Sequence, residues 1–179
     1  MKKVNYRIFG DFEKEEKWVN EMAAEGWHLE KFFLGRFKFI KGEPGAYIYR
    51  NEFIFHMKSK EKKDYFDFLK DSGITIIYEM GAWVYMKKTA AEGPFELYTD
   101  TKSKLAYYKR MLSVFFFLFL INAYFGLMNL SILWDREKDE IIIPTIGVFN
   151  IVVALLIAYP IIKIIQRKKR LEKQQQFFE

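Results

Sequence analysis

The chain of 179 residues contains no cysteine and only two histidines, His28 and His56. Without cysteine it can form neither a disulfide nor a thiolate metal site, which fits a reducing compartment. A zinc site would need carboxylates to complete the two histidines. Both histidines fall in predicted strands, where a structural or solvent-facing role is the more common one. We therefore expect no metal and no cofactor.

The sequence also lacks a glycine-rich loop of the kind that binds phosphate. Its densest glycine stretch, residues 42–45, contains an acid and a proline where a phosphate site needs backbone N–H donors. The acidic residues of the first predicted helix spread over its polar side, as on a solvated face, and do not form an acid–base pair. These absences predict that the protein is not an enzyme.

Charge is missing from two long stretches, residues 111–134 and 141–162. Each is longer than the roughly 20 residues that a helix needs to cross a bilayer core of about 30 Å. Only residues 135–140, all charged, separate them. The pattern predicts a first transmembrane helix over residues 111–134, a turn over 135–140 and a second transmembrane helix over 141–165. A pair of core helices in a soluble protein is the alternative interpretation.

Basic residues flank this hairpin on both sides. Residues 101–110 carry four Lys or Arg and no acid, and residues 166–179 carry five Lys or Arg and two acids. Because basic residues near helix ends favour the cytoplasmic side, we expect both termini inside and the acidic turn outside the inner membrane of the cell. Residues 1–100 are then a cytoplasmic domain, 101–110 a juxtamembrane linker and 166–179 a cytoplasmic tail.

Residues 1–100 alternate between strand and helix patterns. Period-two alternation predicts a strand over residues 4–9, and apolar residues on one face predict a helix over 13–25 that ends at Gly26. Further elements are predicted as strands over 27–33, 36–40, 46–57, 74–78 and 83–87, and a second helix over 60–71.

A shift of 47 residues superimposes the first half of this domain on the second. It places Met22 on Leu69 and Gly26 on Gly73. This predicts an internal repeat of a β-α-β-β unit, with a chance match between two helix-hairpin units as the alternative. In either case we expect an α+β fold related to ferredoxin-like folds, in which one antiparallel sheet carries two helices on one face, followed by the transmembrane hairpin.

Aromatic residues make up 19% of the chain, more than the core of a small domain requires. With both helices on one face of a sheet, the other face must meet water or a partner. The candidates for such a binding face are Phe53, Phe55, Trp83 and Tyr85. Plain core packing is the alternative interpretation of these rings, and it is the more common role.

Small and amide side chains recur along one face of each apolar stretch. Small residues allow helices to approach closely, and amides can hydrogen-bond between helices in a membrane. We expect these faces to meet, within one chain or between copies. The predicted contact residues are Asn122, Gly126, Asn129, Gly147, Asn150, Ala154 and Ala158.

A basic cluster follows the second apolar stretch. It comprises Arg167, Lys168, Lys169 and Arg170. Near the bilayer surface these charges would contact anionic lipid headgroups, although a topology signal with no specific lipid bound is the more common explanation of such a cluster. Nucleic acid is not an expected partner, because the acids interleaved in residues 1–110 leave no basic stripe.

Several segments together carry a resemblance to a known family. They are residues 12–23, Gly26-Trp27-His28-Leu29, Tyr47-Ile48-Tyr49 and residues 98–100. In these the chain resembles the bacterial membrane proteins grouped as domain of unknown function 2812, over about its first 105 residues. The resemblance implies no activity and no catalytic residues. Family members are often encoded beside PadR-like transcriptional regulators, which implies an inducible role in the envelope or in stress.

The sequence thus predicts an integral membrane protein whose cytoplasmic domain binds a protein partner, a ligand or a second copy in a regulatory or accessory role. The alternative is an enzyme acting on a lipid or apolar substrate at the membrane surface, with His28 or a carboxylate as base. A small channel or transporter subunit would need oligomers, since two helices enclose no pore.

Overall fold

The computed structural model describes residues 1–98, 100–132 and 141–176. It divides the chain into two compact units, Met1–Leu97 and Tyr98–Glu179. The first unit combines strands with two α-helices, and the described part of the second consists of two long helices. The predicted α+β class followed by a helical hairpin is therefore confirmed. The predicted outer turn, residues 135–140, lies outside the described residues.

The elements of the first unit lie close to their predicted positions. Asp11 caps the first helix, where its Oδ1 accepts hydrogen bonds from the main-chain N–H groups of Glu13 and Lys14. The elements are, in order, β1 (Lys2–Tyr6), α1 (Phe12–Ala24), β2 (Trp27–Phe33), β3 (Arg36–Lys41), β4 (Tyr47–Phe53), α2 (Ser59–Asp71), β5 (Thr75–Met80), β6 (Trp83–Thr89) and a 3-10 helix (Ala90–Glu92).

The strands form two antiparallel sheets of three strands each, where the sequence predicted one sheet. The first sheet has the order β1-β3-β2 and the second has the order β4-β6-β5. The two helices consequently do not share one sheet face. Alternation of side chains located each strand, but it carries no information on which strand pairs with which.

The two sheets have the same strand order and the same pairing register, offset by 47 residues. Asn5 pairs with Phe37 in the first sheet, and Glu52 pairs with Val84 in the second. The bulges match as well: β2 is irregular between Leu29 and Lys31, and β5 between Ile76 and Tyr78. The glycine that follows each helix, Gly26 or Gly73, has a φ of +81° or +77°, a conformation that glycine adopts without strain.

Helix α1 packs between the two sheets. On one side, the Trp18 ring lies 4.9 Å from the Phe37 ring of β3, measured between centroids. On the other side, Phe12 lies 5.6 Å from Trp83 of β6. One hydrophobic cluster joins the helix to both sheets, comprising Val19, Met22, Ala23, Leu29, Phe32, Phe37, Phe39, Tyr49 and Tyr85.

Polar side chains of α1 also cover the edge of β4. The Asn20 amide donates to the Tyr49 carbonyl at 2.9 Å and accepts from the Tyr49 N–H at 2.8 Å. The Asn51 N–H donates to Glu16 at 3.1 Å, and Arg50 forms an ion pair with the same carboxylate at 2.9 Å. Because β4 ends the sheet, these bonds satisfy main-chain groups that point away from β6.

Helix α2 covers the opposite face of the second sheet. Its Leu69 side chain is buried against β6 and against the chain that follows the 3-10 helix. The buried members of this second cluster are Ile54, Leu69, Val84, Met86 and Phe95. Both faces of the second sheet are therefore covered, one by α1 and the other by α2.

The second unit contains α3 (Thr101–Ser131) and α4 (Ile142–Gln176). Both helices are long and apolar enough to cross a bilayer, with mean hydropathy of 2.1 and 2.4 over their most apolar windows. Only 11% and 17% of the residues in those windows are buried. The core helices of a soluble protein would be mostly buried, so this exposure of apolar side chains favours a membrane environment.

The two helices lie in close contact at a pair of glycines, Gly126 and Gly147. A Cβ atom built on Gly147 would lie 3.0 Å from the Gly126 carbonyl oxygen and 3.0 Å from the Leu130 nitrogen. A Cβ on Gly126 would lie 2.6 Å from Cδ1 of Ile151. Because main-chain atoms occupy this space, only glycine fits at residue 147 without moving a helix.

We expect Gly147→Val to destabilise the hairpin by roughly 1–3 kcal/mol, the usual cost of overpacking. The measurement is the unfolding midpoint of the full chain in detergent micelles on titration with sodium dodecyl sulfate. Val148→Leu on the neighbouring exposed position is the control and leaves the midpoint unchanged. Equal midpoints for the two variants would contradict the close glycine contact.

Candidate binding surface on the first sheet

One face of the first sheet packs on α1, and the other is uncovered in the first unit. We call the uncovered surface the open face. The register pairs place its residues side by side, because Val4 lies opposite Lys38, and Tyr6 and Phe33 both lie opposite Arg36. The open face comprises Lys2, Val4, Tyr6, Lys31, Phe33, Arg36, Lys38 and Ile40.

The open face combines apolar exposure with positive charge. Tyr6 is 78% exposed and Phe33 is 53% exposed, and Val4 and Ile40 are exposed as well. Isolated apolar residues on a surface are ordinary, but a contiguous group with cations between its members is typical of a binding site.

The four cations of the open face have little compensation. Lys38 pairs with Glu30 at 2.7 Å, and this hydrogen bond holds the pKa of Glu30 below its usual value. The side chains of Lys31 and Arg36 form no ion pair or hydrogen bond with any residue that the structure describes. They are therefore available to an anionic group.

A groove of about 350 Å³ runs along one side of the open face. Its lining consists of Lys31, Phe33, Arg36, Lys38 and Tyr78. Tyr78 comes from β5, so the groove lies where the two sheets meet. The irregular pairing next to Lys31 and next to Tyr78 places both bulges at this groove, in keeping with the frequent use of bulges to aim side chains at a site.

The predicted binding-face residues lie elsewhere and at different depths. Phe53 and Tyr85 are buried in the core, at 6% and 5% exposure, and Trp83 is partly buried against Phe12. Phe55 is 64% exposed and stacks on Phe53 with their ring centroids 6.1 Å apart. These four residues do not form an open surface together, because α1 covers Trp83 and Tyr85, whereas Phe55 lies beyond the end of β4.

Glu15 is a buried carboxyl group beneath α1. It accepts a hydrogen bond from the Tyr85 hydroxyl. Burial raises the pKa of Glu15 to about 7, although the bond from Tyr85 opposes the rise. Burial also raises the pKa of Tyr85. The pair links α1 to the second sheet, and neither the strand pattern nor the helix pattern of the sequence identified it.

The two histidines have different surroundings. His28 is buried, its Nε2 donates to the Glu43 carbonyl at 2.8 Å, and its ring packs edge-on against Tyr47. His28 thus holds the turn after β3, and its Nε2 is bound to the main chain instead of to a carboxylate. His56 is exposed after β4. Within the described residues, no group of three or more His, Asp or Glu could hold a metal ion.

The predicted contact residues of the hairpin are distributed as follows. Gly126, Gly147 and Ala154 are buried. Asn122, Asn129, Asn150 and Ala158 are partly buried, and the Asn122 amide donates to the Leu118 carbonyl of its own helix at 2.8 Å.

The basic cluster lies on α4, after Pro160. Its Lys168 pairs with Glu172 one turn further on, at 3.4 Å. Lys169 and Arg170 are exposed, and Arg167 is partly buried. The cluster therefore presents at least two cations to the surroundings of the helix.

The sequence contains a signal for the open face. It appears when the residues that the 47-residue shift makes equivalent are compared at exposed strand positions as well as at buried ones. The shift carries Trp83 to Arg36, Tyr85 to Lys38 and Tyr78 to Lys31. Aromatic residues on one sheet thus correspond to cations on the other, which signals that the two equivalent faces have different environments.

Comparison with known proteins identifies one family. A family model described as a protein of unknown function, DUF2812, matches residues 11–120. The match runs from α1 to the end of the first unit and over most of α3, and it leaves out β1. The chain matches no curated protein and no solved structure.

The buried Glu15 makes stability depend on pH. Its pKa rises from about 4.5 in the unfolded chain to about 7 in the folded one, so the folded state binds the proton more tightly. The contribution of Glu15 to stability is fully present below pH 4.5, and roughly 3 kcal/mol of it is lost as pH rises to 7. Glu15→Gln removes this contribution and stabilises the protein at pH 8.

The measurement is chemical unfolding of the full chain in detergent micelles, followed by tryptophan fluorescence from pH 4.5 to 8. A reduced slope remains in the variant, because burial also raises the pKa of Glu16. Glu21→Gln, on the exposed side of the same helix, is the control and keeps the full slope. A full slope in Glu15→Gln would show that Glu15 is solvated.

Proposed function

We propose that this chain, which belongs to the DUF2812 family of proteins of unknown function, is a membrane-anchored binding protein. The open face of its first unit binds a protein partner, and the two apolar helices anchor that unit at the inner membrane. The protein acts in an accessory or regulatory role and not as a catalyst.

The observation that carries this proposal is the open face itself. Its exposed Tyr6 and Phe33 stand beside Arg36, which has no partner among the described residues. Exposed aromatic residues beside arginine are enriched in the parts of interfaces that contribute most to affinity. A groove next to them gives a partner side chain a place to insert.

The anchoring role rests on the second unit. Helices α3 and α4 expose large apolar side chains such as Phe117, Leu127 and Leu155 along most of their length. In water this exposure would be unfavourable by about 25 cal/mol per Å² of apolar surface. Lipid removes that cost, and the basic residues at both ends support a cytoplasmic position of the two termini.

The proposed orientation can be tested directly, because the chain has no cysteine of its own. Single cysteines are introduced as Lys60→Cys in α2, Lys138→Cys between the apolar helices and Gln174→Cys near the C-terminus. In intact cells, a membrane-impermeant maleimide labels only Lys138→Cys, and all three sites react after permeabilisation. Labelling of Lys60→Cys in intact cells would place the first unit outside and contradict the proposal.

Partner binding can be tested by photocrosslinking in native membranes. A benzophenone amino acid at Phe33, on the open face, forms a discrete adduct with another protein. The same probe at Phe68, an exposed phenylalanine of α2, does not form it. In a chain that carries both the Phe33 probe and Arg36→Glu, the adduct weakens at least several-fold, because the contact between Arg36 and an acidic group of the partner is lost.

Two results would count against partner binding at this face. Identical adducts from the Phe33 and Phe68 probes would indicate random collision. An adduct of twice the mass of the chain would indicate that the open face contacts a second copy.

A further inference from the structure

The second sheet has a face that is equivalent to the open face of the first sheet, and a helix covers it. The 47-residue shift that superimposes the sheets carries the open face onto Tyr49, Asn51, Phe53, Tyr78, Met80, Trp83, Tyr85 and Lys87. That face packs against a helix, α1, whose Phe12 contacts Trp83 and whose Glu15 accepts from Tyr85. The first sheet has the same register but no helix in the equivalent place within its unit.

The main-chain edge next to the open face binds no side chain of the residues that the structure describes. In the second sheet, the N–H groups of Tyr49 and Asn51 point away from β6 and bond to α1. The shared register assigns the same outward direction to the N–H groups of Lys2 and Val4 in β1. The outward N–H groups of an edge strand can donate hydrogen bonds to acidic or amide side chains of a helix, as those of β4 do.

The charges of the open face define what such a helix must carry. Lys38 stands where Tyr85 stands in the second sheet, so a cationic donor replaces the hydroxyl that bonds Glu15. Arg36 replaces Trp83, and Lys31 replaces Tyr78. A carboxylate at the position equivalent to Glu15 would meet Lys38 within reach of a charge-assisted hydrogen bond. The ammonium group has three donors, so it can keep its pair with Glu30.

The same reasoning argues against a second copy of this chain. The helix that a second copy could offer in this role is α2. The shift places Lys62 and Lys63 of α2 at the positions of Glu15 and Glu16 in α1. These lysines would face Lys38 and Lys3, and like charges in direct opposition disfavour association.

We propose that the open face binds an acidic amphipathic helix of a partner protein, in the way that α1 binds the second sheet. The partner helix packs apolar residues on Val4, Tyr6 and Phe33. Its carboxylates pair with Lys38 and Arg36, and an acidic or amide side chain accepts from the edge N–H groups of β1. This inference rests on the proposed binding function and adds the chemical class of the partner element.

The test uses the full chain in nanodiscs of neutral phosphatidylcholine. The probe is a stapled, fluorescently labelled peptide with the sequence of residues 11–25, which contains six acidic and two basic residues. A staple is needed because isolated helices of about 15 residues are marginal in water. Binding is measured by fluorescence anisotropy at low and at physiological salt.

We expect saturable binding that weakens about tenfold when the peptide carries Glu15→Lys and Glu16→Lys, since these residues meet the cations. In the full chain, Arg36→Glu weakens binding about tenfold as well, whereas Lys60→Glu, an equal charge change on α2, alters it less than about twofold. Equal binding of the two peptides, or an unchanged affinity in Arg36→Glu, would overturn the inference.

The same reagents distinguish the proposed partner helix from two other occupants of the open face, a lipid and a second copy of the chain. Phosphatidylglycerol vesicles that bind the wild-type chain but not Arg36→Glu, without peptide binding, would overturn the inference in favour of a lipid. Arg36-dependent association between nanodiscs, again without peptide binding, would overturn it in favour of a second copy. A Phe33 photoadduct with another protein, combined with no peptide binding, would leave the proposed function intact and reject only the helical partner.

Discussion

The first unit depends on the position of α1 between two sheets. This helix buries Trp18 against the first sheet and Phe12 against the second, so one element closes two cores. Burying both sides of a helix also buries polar groups, which must find partners. Glu15 has Tyr85, and Asn20 has both main-chain groups of Tyr49. The edge of β4 is thereby protected from pairing with other chains.

The sheet pair becomes asymmetric because α1 can cover only one of two equivalent faces. The face containing Trp83 and Tyr85 is aromatic and buried, whereas its counterpart contains Arg36 and Lys38 and is open. Cations on an exposed sheet face discourage unspecific aggregation, and they still permit a partner of opposite charge. The cations at the positions equivalent to Trp83 and Tyr85 thus protect the open face from unspecific aggregation and select which partner can bind it.

Much of the fold could be predicted from the sequence because its signals are local. The helix over 13–25 and the stop at Gly26 follow from apolar spacing and a residue suited to positive φ, and the family resemblance is confirmed by the family model. Strand pairing is not local, so the two sheets were not foreseen. Phe53 and Tyr85 were predicted as part of a binding face, but both are buried, because the helix that covers this face could not be seen from their own strands.

The two apolar helices, as the proposed membrane anchor, complete the physical argument for a binding role. An isolated face that gains a few charge pairs and a modest apolar area binds a helix weakly, because association costs translational and rotational freedom. An anchor confines the first unit to the volume next to the bilayer, where a partner that is also membrane-bound reaches a high effective concentration. A weak, charge-selected site is therefore sufficient for a protein fixed in a membrane, whereas the same site on a freely diffusing domain would be occupied only rarely.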